Sequence, residues 1–188
     1  MTARLWLIRH GQTDWNREGR YQGQADPPLN AAGLAQAQRL AARLGDRAYA
    51  ALYTSDLTRA RQTAAVLALG SRLPLRPEPR LREVNHGIWD GLLLSEIQAR
   101  FADSWAELRR EPDVARPPGG ETVVEVAARV SAALDDIADR HPGTDVLVVS
   151  HGLAIATALC QAQGLPLRRA HDLVPPNAEA VVLAWKPG

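Results

Sequence analysis

Short, uninterrupted apolar runs alternate along the chain with longer stretches in which apolar residues recur every three or four positions. Runs of the first kind predict buried strands at 3–8 (around Leu5-Trp6-Leu7-Ile8), 51–54, 145–149 and 180–185. Leu73 and Leu75 suggest one more short strand inside a stretch rich in Pro and Arg. The second kind predicts helices. One covers 31–44, with Asn30 as N-cap, Leu34, Leu40, Ala41 and Leu44 on one face, and Gly45 as its stop. Others are expected at about 57–69 (closed by Gly70), 95–109, 121–140 and 153–163. Residues 14–30 read as loop, and Pro112, Pro117 and Pro118 break the chain before Gly119-Gly120. Strands alternating with helices predict an α/β fold: a three-layer sandwich with a largely parallel, mixed sheet and helices on both faces. Residues 1–188 are expected to form one domain, with about 85–120 as an insertion that caps one end of the sheet.

Composition narrows the function. The 188 residues are 46% hydrophobic, enough for a sizeable core. With 22 basic and 21 acidic residues the net charge is +1, which gives no footing for nucleic acid or a membrane surface as partner. Cys160 is the single cysteine, so an intrachain disulfide and a multi-cysteine metal site are excluded. The first apolar run stops at Arg9, so neither signal peptide nor membrane span is expected, and a reducing cytoplasm is the expected compartment.

Chemistry concentrates where two strands end alike, in Ile8-Arg9-His10-Gly11 and Val149-Ser150-His151-Gly152. Parallel strands would place these ends side by side at the edge where α/β sheets bind ligands. Arg9 adds a cation there, and Arg59 another from the first turn of a helix, where unpaired N–H groups already favour anions. Two arginines, two histidines and a helix end make a phosphate site. An imidazole among cations is in part unprotonated at neutral pH and can attack phosphorus. Glu83 is the candidate to protonate the leaving oxygen and then deprotonate water. Singly, His10 would read as structural and Glu83, beside Arg82, as half of a surface ion pair; their joint occurrence with His151, Arg9 and Arg59 changes that reading.

Together these residues resemble the histidine phosphatase superfamily, in its phosphoglycerate mutase-like branch. The chain looks most like the cofactor-independent small phosphatases, the broad-specificity and α-ribazole phosphatases. Arg-His-Gly stands at Arg9-His10-Gly11 with Trp15-Asn16 following; Ser-x-Leu-x-Arg-Ala-x-x-Thr-Ala spans Ser55 to Ala64; Arg-Glu-x-x-x-Gly-x-Trp-Asp-Gly spans Arg82 to Gly91. Gly120-Glu121-Thr122 and Ser150-His151-Gly152 complete the set. The resemblance implies that His10 is phosphorylated and that Arg9, Arg59 and His151 hold the phosphoryl oxygens. It implies that Glu83 moves the proton and that Asn16, Gln22, Gly23 and Gly152 border the phosphate. It also implies no metal and no cofactor, and a small phosphorylated substrate, and it is compatible with a homodimer. Two departures stand out: Gln12 where many relatives have Glu, and Glu179 where many have a small residue.

Other classes compete. A phosphoglycerate mutase would need basic residues for a substrate carboxylate in the insertion, where Arg100, Arg109, Arg110 and Arg116 match no mutase pattern. The insertion's Trp89, Phe101 and Trp105 suggest bulky or uncharged leaving groups, and Arg109-Arg110 reads most simply as a solvated helix face. An α-ribazole-5'-phosphate phosphatase is a narrower version of the same activity. A metal-dependent hydrolase using His10, His86, His151, Glu83 and Asp90 lacks ligand spacing, and arginines would repel its cation. A non-catalytic phospholigand-binding protein would be expected to have lost the nucleophile or the acid, and both are present.

Overall fold

In the computed structural model, which describes residues 2–186, five strands form one sheet in the order β3-β2-β4-β1-β5. These are β1 (Ala3–Arg9), β2 (Ala51–Thr54), β3 (Leu75–Pro77), β4 (Asp145–Ser150) and β5 (Ala180–Trp185). β4 pairs in parallel with both β1 and β2, β2 with β3, and only the edge strand β5 runs antiparallel, against β1. The sheet is therefore mixed and largely parallel, as expected. Its central strands are buried on both faces, which is why they read as unbroken apolar runs.

Side-chain alternation sorts each run between two cores. Leu5 and Leu7, Ala51 and Tyr53, and Val146 and Val148 face a helical layer made by α6 (Val123–Arg140) and α7 (Gly152–Gln163). Ile8, Leu52, Leu147 and Val149 face the other layer, α2 (Ala31–Leu44) and α3 (Thr58–Ser71). Cys160 lies buried in the first core, an apolar setting that pushes its thiol pKa up.

Several sequence expectations need correction. The stretch read as loop holds a short helix, α1 (Asp14–Glu18). Thr13 accepts the Asn16 N–H and the Asn16 amide oxygen accepts the Thr13 N–H, a capping box closed by Asn rather than Glu. Five residues are too few for apolar periodicity to register. Gly70 does not stop α3; the helix runs through Ser71 and Arg72 takes the left-handed cap with φ 55°. The helix expected at 95–109 is two, α4 (Leu94–Arg100) and α5 (Ala102–Arg110), because Phe101 leaves the helical region at φ −135°. A 3-10 stretch at Leu167–Leu173 follows α7.

Residues 85–120 pack around Trp89, which is fully buried with Phe101 and Trp105 at ring-centroid distances of 6.5 and 6.2 Å. They are tied to the loop after α1 by Tyr21 N–H to Leu92 O and Gly91 N–H to Tyr21 O, both 2.9 Å. No helix among the described residues is long and apolar enough to cross a membrane.

Candidate active site

Parallel pairing of β1 and β4 sets Arg9 opposite Ser150, so the residues that follow, His10 and His151, leave the sheet as neighbours. The two imidazoles stand 5.1 Å apart between ring centroids, and both are buried. His10 Nδ1 lies 2.7 Å from the Gly11 carbonyl oxygen, which can only accept. The ring proton is therefore on Nδ1, and Nε2 carries the lone pair. Arg59 Nε donates to that Nε2 at 3.3 Å. Burial first, and then the charge of Arg59, push the His10 pKa well below its usual value. The imidazole is thus an unprotonated base at neutral pH.

Arg59 is the most enclosed charge in the site, with none of its surface exposed. Its Nη1 donates to Ala25 O at 2.8 Å and its Nη2 to Gly23 O at 2.6 Å. Burial lowers its pKa to about 10, opposed by the nearby carboxylates of Glu83, Asp26 and Asp90. Asp26 also caps α3 through the Thr58 N–H at 2.6 Å, which fixes the turn that carries Arg59. Asp90 accepts the Gly23 N–H at 2.6 Å and the Ala25 N–H at 3.0 Å. It thereby holds the two residues whose carbonyls grip Arg59. Position 23 has to be glycine, since a Cβ would lie 2.5 Å from Val84 O and 2.7 Å from Asp90 Oδ1.

Arg9 donates from Nη1 to Pro175 O at 2.7 Å, while its buried Nε–H has no protein partner. Burial lowers its pKa too. Gly152 lets this guanidinium lie close: a Cβ there would stand 3.4 Å from Arg9 Cζ and 2.8 Å from Val174 Cγ1. His151 Nε2 lies 2.8 Å from Ser55 Oγ, and its buried Nδ1 also lacks a partner. Burial and the charge of Arg59 keep this ring neutral as well.

Glu83 is not paired with Arg82, which forms a bidentate pair with Asp56. Its carboxylate sits instead on the N-terminus of α7, accepting the N–H groups of Leu153 at 3.1 Å and Ala154 at 3.2 Å, together with that of Val84 at 3.0 Å. Arg129 of α6 anchors the backbone beneath it, donating to the carbonyls of Arg80, Arg82 and Glu83 at 2.6–2.9 Å while chelated by Glu121.

Asn16 and Gln22 join through Thr13. The Thr13 hydroxyl donates to Gln22 Oε1, and Asn16 Oδ1 accepts from Asn177 Nδ2 at 3.3 Å. Both amides spend their oxygens on the protein and keep N–H groups in reserve. Asn177 also donates to His10 O at 3.0 Å, and Thr63 Oγ1 accepts the Gly11 N–H at 3.0 Å. The structure thus gathers His10, His151, Arg9, Arg59 and Glu83 around one point, with Asn16, Gln22, Gly23 and Gly152 at its border. Thr13, Thr63, Arg129 and Asn177 were not singled out from the sequence. Thr63 stands inside the quoted Ser55–Ala64 pattern, but Arg129 and Asn177 carried no local signal. Arg61 is exposed and stays out of the cluster.

Beside the cluster lies a cavity of about 400 Å³, lined in part by Val84, His86, Trp105, Arg109, Leu153 and Arg168. Val84 and Leu153 flank Glu83, so the cavity opens on the carboxylate's side of the cluster. His10, Arg9 and Arg59 are not among its walls. Among the described residues, no three His, Cys, Asp or Glu side chains converge as metal ligands.

An unprotonated imidazole nitrogen approached by free guanidinium, imidazole and amide N–H groups suits a tetrahedral oxyanion, and on an α/β sheet this makes a phosphoryl-transfer enzyme. The profile of the histidine phosphatase superfamily (branch 1) matches residues 5–188, and the chain belongs to that superfamily. Among curated relatives, phosphoserine phosphatase 1 of Hydrogenobacter thermophilus is 34% identical over 167 residues, covering 89% of this chain and 79% of the relative. The Yersinia pestis protein named "Probable phosphoglycerate mutase GpmB" is 35% identical over 162 residues, covering 86% and 75%. Among solved structures, a mycobacterial glucosyl-3-phosphoglycerate phosphatase complexed with VO3 superposes with a TM-score of 0.86 at 35% identity, covering 95% of this chain and 90% of that one.

Proposed function

We propose that this chain hydrolyses small phosphomonoesters in two steps through a phosphohistidine on His10, without a metal. The observation that carries this reading is the tautomer of His10: Nδ1–H is bonded to Gly11 O and the Nε2 lone pair faces the Arg59 guanidinium. In the first step, which Glu83 enters as the neutral acid, Nε2 attacks phosphorus, the P–O bond to the leaving group breaks, and the leaving oxygen takes the Glu83 proton. In the second, the Glu83 carboxylate takes a proton from water, the water oxygen attacks phosphorus, and the P–N bond breaks. Inorganic phosphate departs, and both residues return to their starting states. Arg59 Nε, Arg9 Nε, His151 Nδ1 and the free N–H groups of Asn16 and Gln22 hold the equatorial oxygens, where charge gathers in the transition state. With Ser55 donating to His151 Nε2, the imidazole proton is on Nδ1, ready for the phosphate. Residues 85–120 act as the cap of a single domain and supply one wall of the leaving-group cavity. The cytoplasm is the proposed site of action.

The test is release of phosphate from p-nitrophenyl phosphate by wild type and by His10→Ala, with and without chelator. Chelator-insensitive turnover that disappears in the variant is the expected result. Turnover that survives in His10→Ala would overturn the phosphohistidine. Transfer between the two hydroxyls of a phosphoglycerate under a bisphosphate primer, without phosphate release, would make the chain a mutase like the one its Yersinia relative is named for.

A further inference from the structure

Glu83 stands in a stretch without regular structure, just after a 3-10 turn at Pro79–Leu81. Carbonyls in such a stretch need donors from elsewhere. Four in a row find them in side chains. Ser150, the last residue of β4, donates its hydroxyl to Leu81 O at 2.7 Å. Arg129 serves the other three: Nη1 donates to Arg80 O at 2.9 Å and to Arg82 O at 2.6 Å, and Nη2 donates to Glu83 O at 2.9 Å. A guanidinium on α6 thus does for this segment what a neighbouring strand does inside a sheet.

Glu121 takes the rest of the fork. Its two oxygens accept Arg129 Nε–H and Nη2–H, both at 2.9 Å. All five guanidinium N–H groups are then in use, so Arg129 has none left for a substrate. Glu121 also accepts the Asn85 N–H at 2.8 Å and returns its own N–H to Asn85 O at 2.8 Å. The main chain is therefore clamped before and after Glu83, and the carboxylate reaches from that clamp to the N-terminus of α7. The side chains of Arg129 and Glu121 are only 18% and 23% exposed, so this is not a solvated ion pair of small effect.

We propose that Arg129, held by Glu121, is the positioning residue of the proton donor: it fixes the main chain of Glu83 so that the carboxyl group meets the leaving oxygen. This rests on the role given to Glu83 in the phosphatase reading and adds how that role is secured. A general acid works within hydrogen-bond reach of the oxygen it protonates, about 2.6–3.2 Å. A displacement of about 1 Å costs about a hundredfold in rate. Arg129 therefore matters most for esters whose leaving group has to be protonated, and little for those whose leaving group departs as a stable anion. Lysine cannot replace it, since three donors on one nitrogen do not span three carbonyls and a carboxylate.

Benzyl phosphate and p-nitrophenyl phosphate test this, for they share an aromatic body but release an alkoxide and a stabilised phenolate. The readout is the ratio of kcat/KM for benzyl phosphate to that for p-nitrophenyl phosphate, measured on one preparation, so any loss of folded enzyme cancels. kcat/KM covers the step in which Glu83 gives up its proton. Glu83→Gln sets the full effect on the ratio. In Arg129→Lys the ratio is expected to fall in the same direction by about tenfold or more, with inhibition by inorganic phosphate unchanged because His10 and Arg59 are untouched. Glu121→Gln keeps the side-chain shape but turns an NH2 group toward Arg129, and the ratio should fall there too; it supplies the test if Arg129→Lys does not fold. Equal losses on the two esters in these variants, beside a lowered ratio in Glu83→Gln, would overturn the proposal and leave Arg129 as a support of the fold. A ratio that Glu83→Gln itself leaves unchanged would bring down the proton role of Glu83, and the proposal with it.

Discussion

Replacing Asp90 with Asn probes how the buried Arg59 is held in place. Asp90 never meets the imidazole. It accepts the N–H groups of Gly23 at 2.6 Å and Ala25 at 3.0 Å, and the carbonyls of those same two residues accept Arg59 Nη2 and Nη1 at 2.6 and 2.8 Å. An Asn side chain has one oxygen and one NH2 group, so in either orientation one of the two peptide N–H groups faces a donor. Losing one hydrogen bond to a charged group costs about 1.5–3 kcal/mol, and the bond that remains is weakened because its acceptor is neutral. Arg59 also loses one of the three carboxylates that oppose the effect of its burial. If that loss falls on the placement of Arg59 in the transition state, kcat/KM drops by about tenfold to hundredfold, since 1.36 kcal/mol is one decade in rate. Steady-state kinetics with p-nitrophenyl phosphate, inhibition by inorganic phosphate and a thermal melt would be measured together. Weaker phosphate inhibition should accompany the loss of kcat/KM. A variant with kcat/KM within about twofold of wild type and a lower melting temperature would refute the argument, because Asp90 would then stabilise the loop without aiming Arg59.

Further outcomes follow from the same geometry. Stability should fall as pH drops below 6.5, because His10 and His151 have folded-state pKa values well under that ordinary histidine value, so the unfolded chain binds protons the native chain refuses. Each contributes a slope of up to about 1.4 kcal/mol per pH unit between its folded and unfolded pKa, and above 6.5 the contribution levels off. Urea midpoints across that range check the sign; a flat profile, or an unaltered slope in His151→Asn, would contradict it. Thr63→Val keeps the side-chain shape but leaves the Gly11 N–H without its 3.0 Å acceptor next to the nucleophile. A loss of about 1–3 kcal/mol in urea unfolding, with unchanged m-value, is expected, and a change under about 0.5 kcal/mol would show that another acceptor takes over.

Much of the candidate site could be read from the chain because its parts sit at element boundaries. His10 and His151 each stand just past a strand built on an apolar run, and Arg59 falls in the first turn of a helix that buries Ala60, Ala64 and Leu67. Such positions project groups toward the sheet's ligand edge whatever else the fold does. Glu83 was legible only through its motif, for nothing in its neighbourhood marks a regular element. The misreadings have a common physical origin. α1 is held by reciprocal caps and not by an apolar stripe, and the break at Phe101 falls inside an unbroken periodic pattern. Local capping and a tertiary bend leave no periodic trace.

By itself the sequence determined the α/β class, the strands buried on both faces, the helices with one apolar face and the identity of the groups at the strand ends. These follow from hydrophobic periodicity and from which residues can end a strand or start a helix, both of which act over a few positions. Tertiary structure decided the rest. It set the His10 tautomer through Gly11 and seated Glu83 on the first turn of α7. It fastened Arg59 through Asp90, 31 positions away, and brought Arg109 and Arg168 to one cavity from elements far apart in the chain. Those outcomes depend on long-range register and packing, whose energies come from contacts that no local pattern encodes.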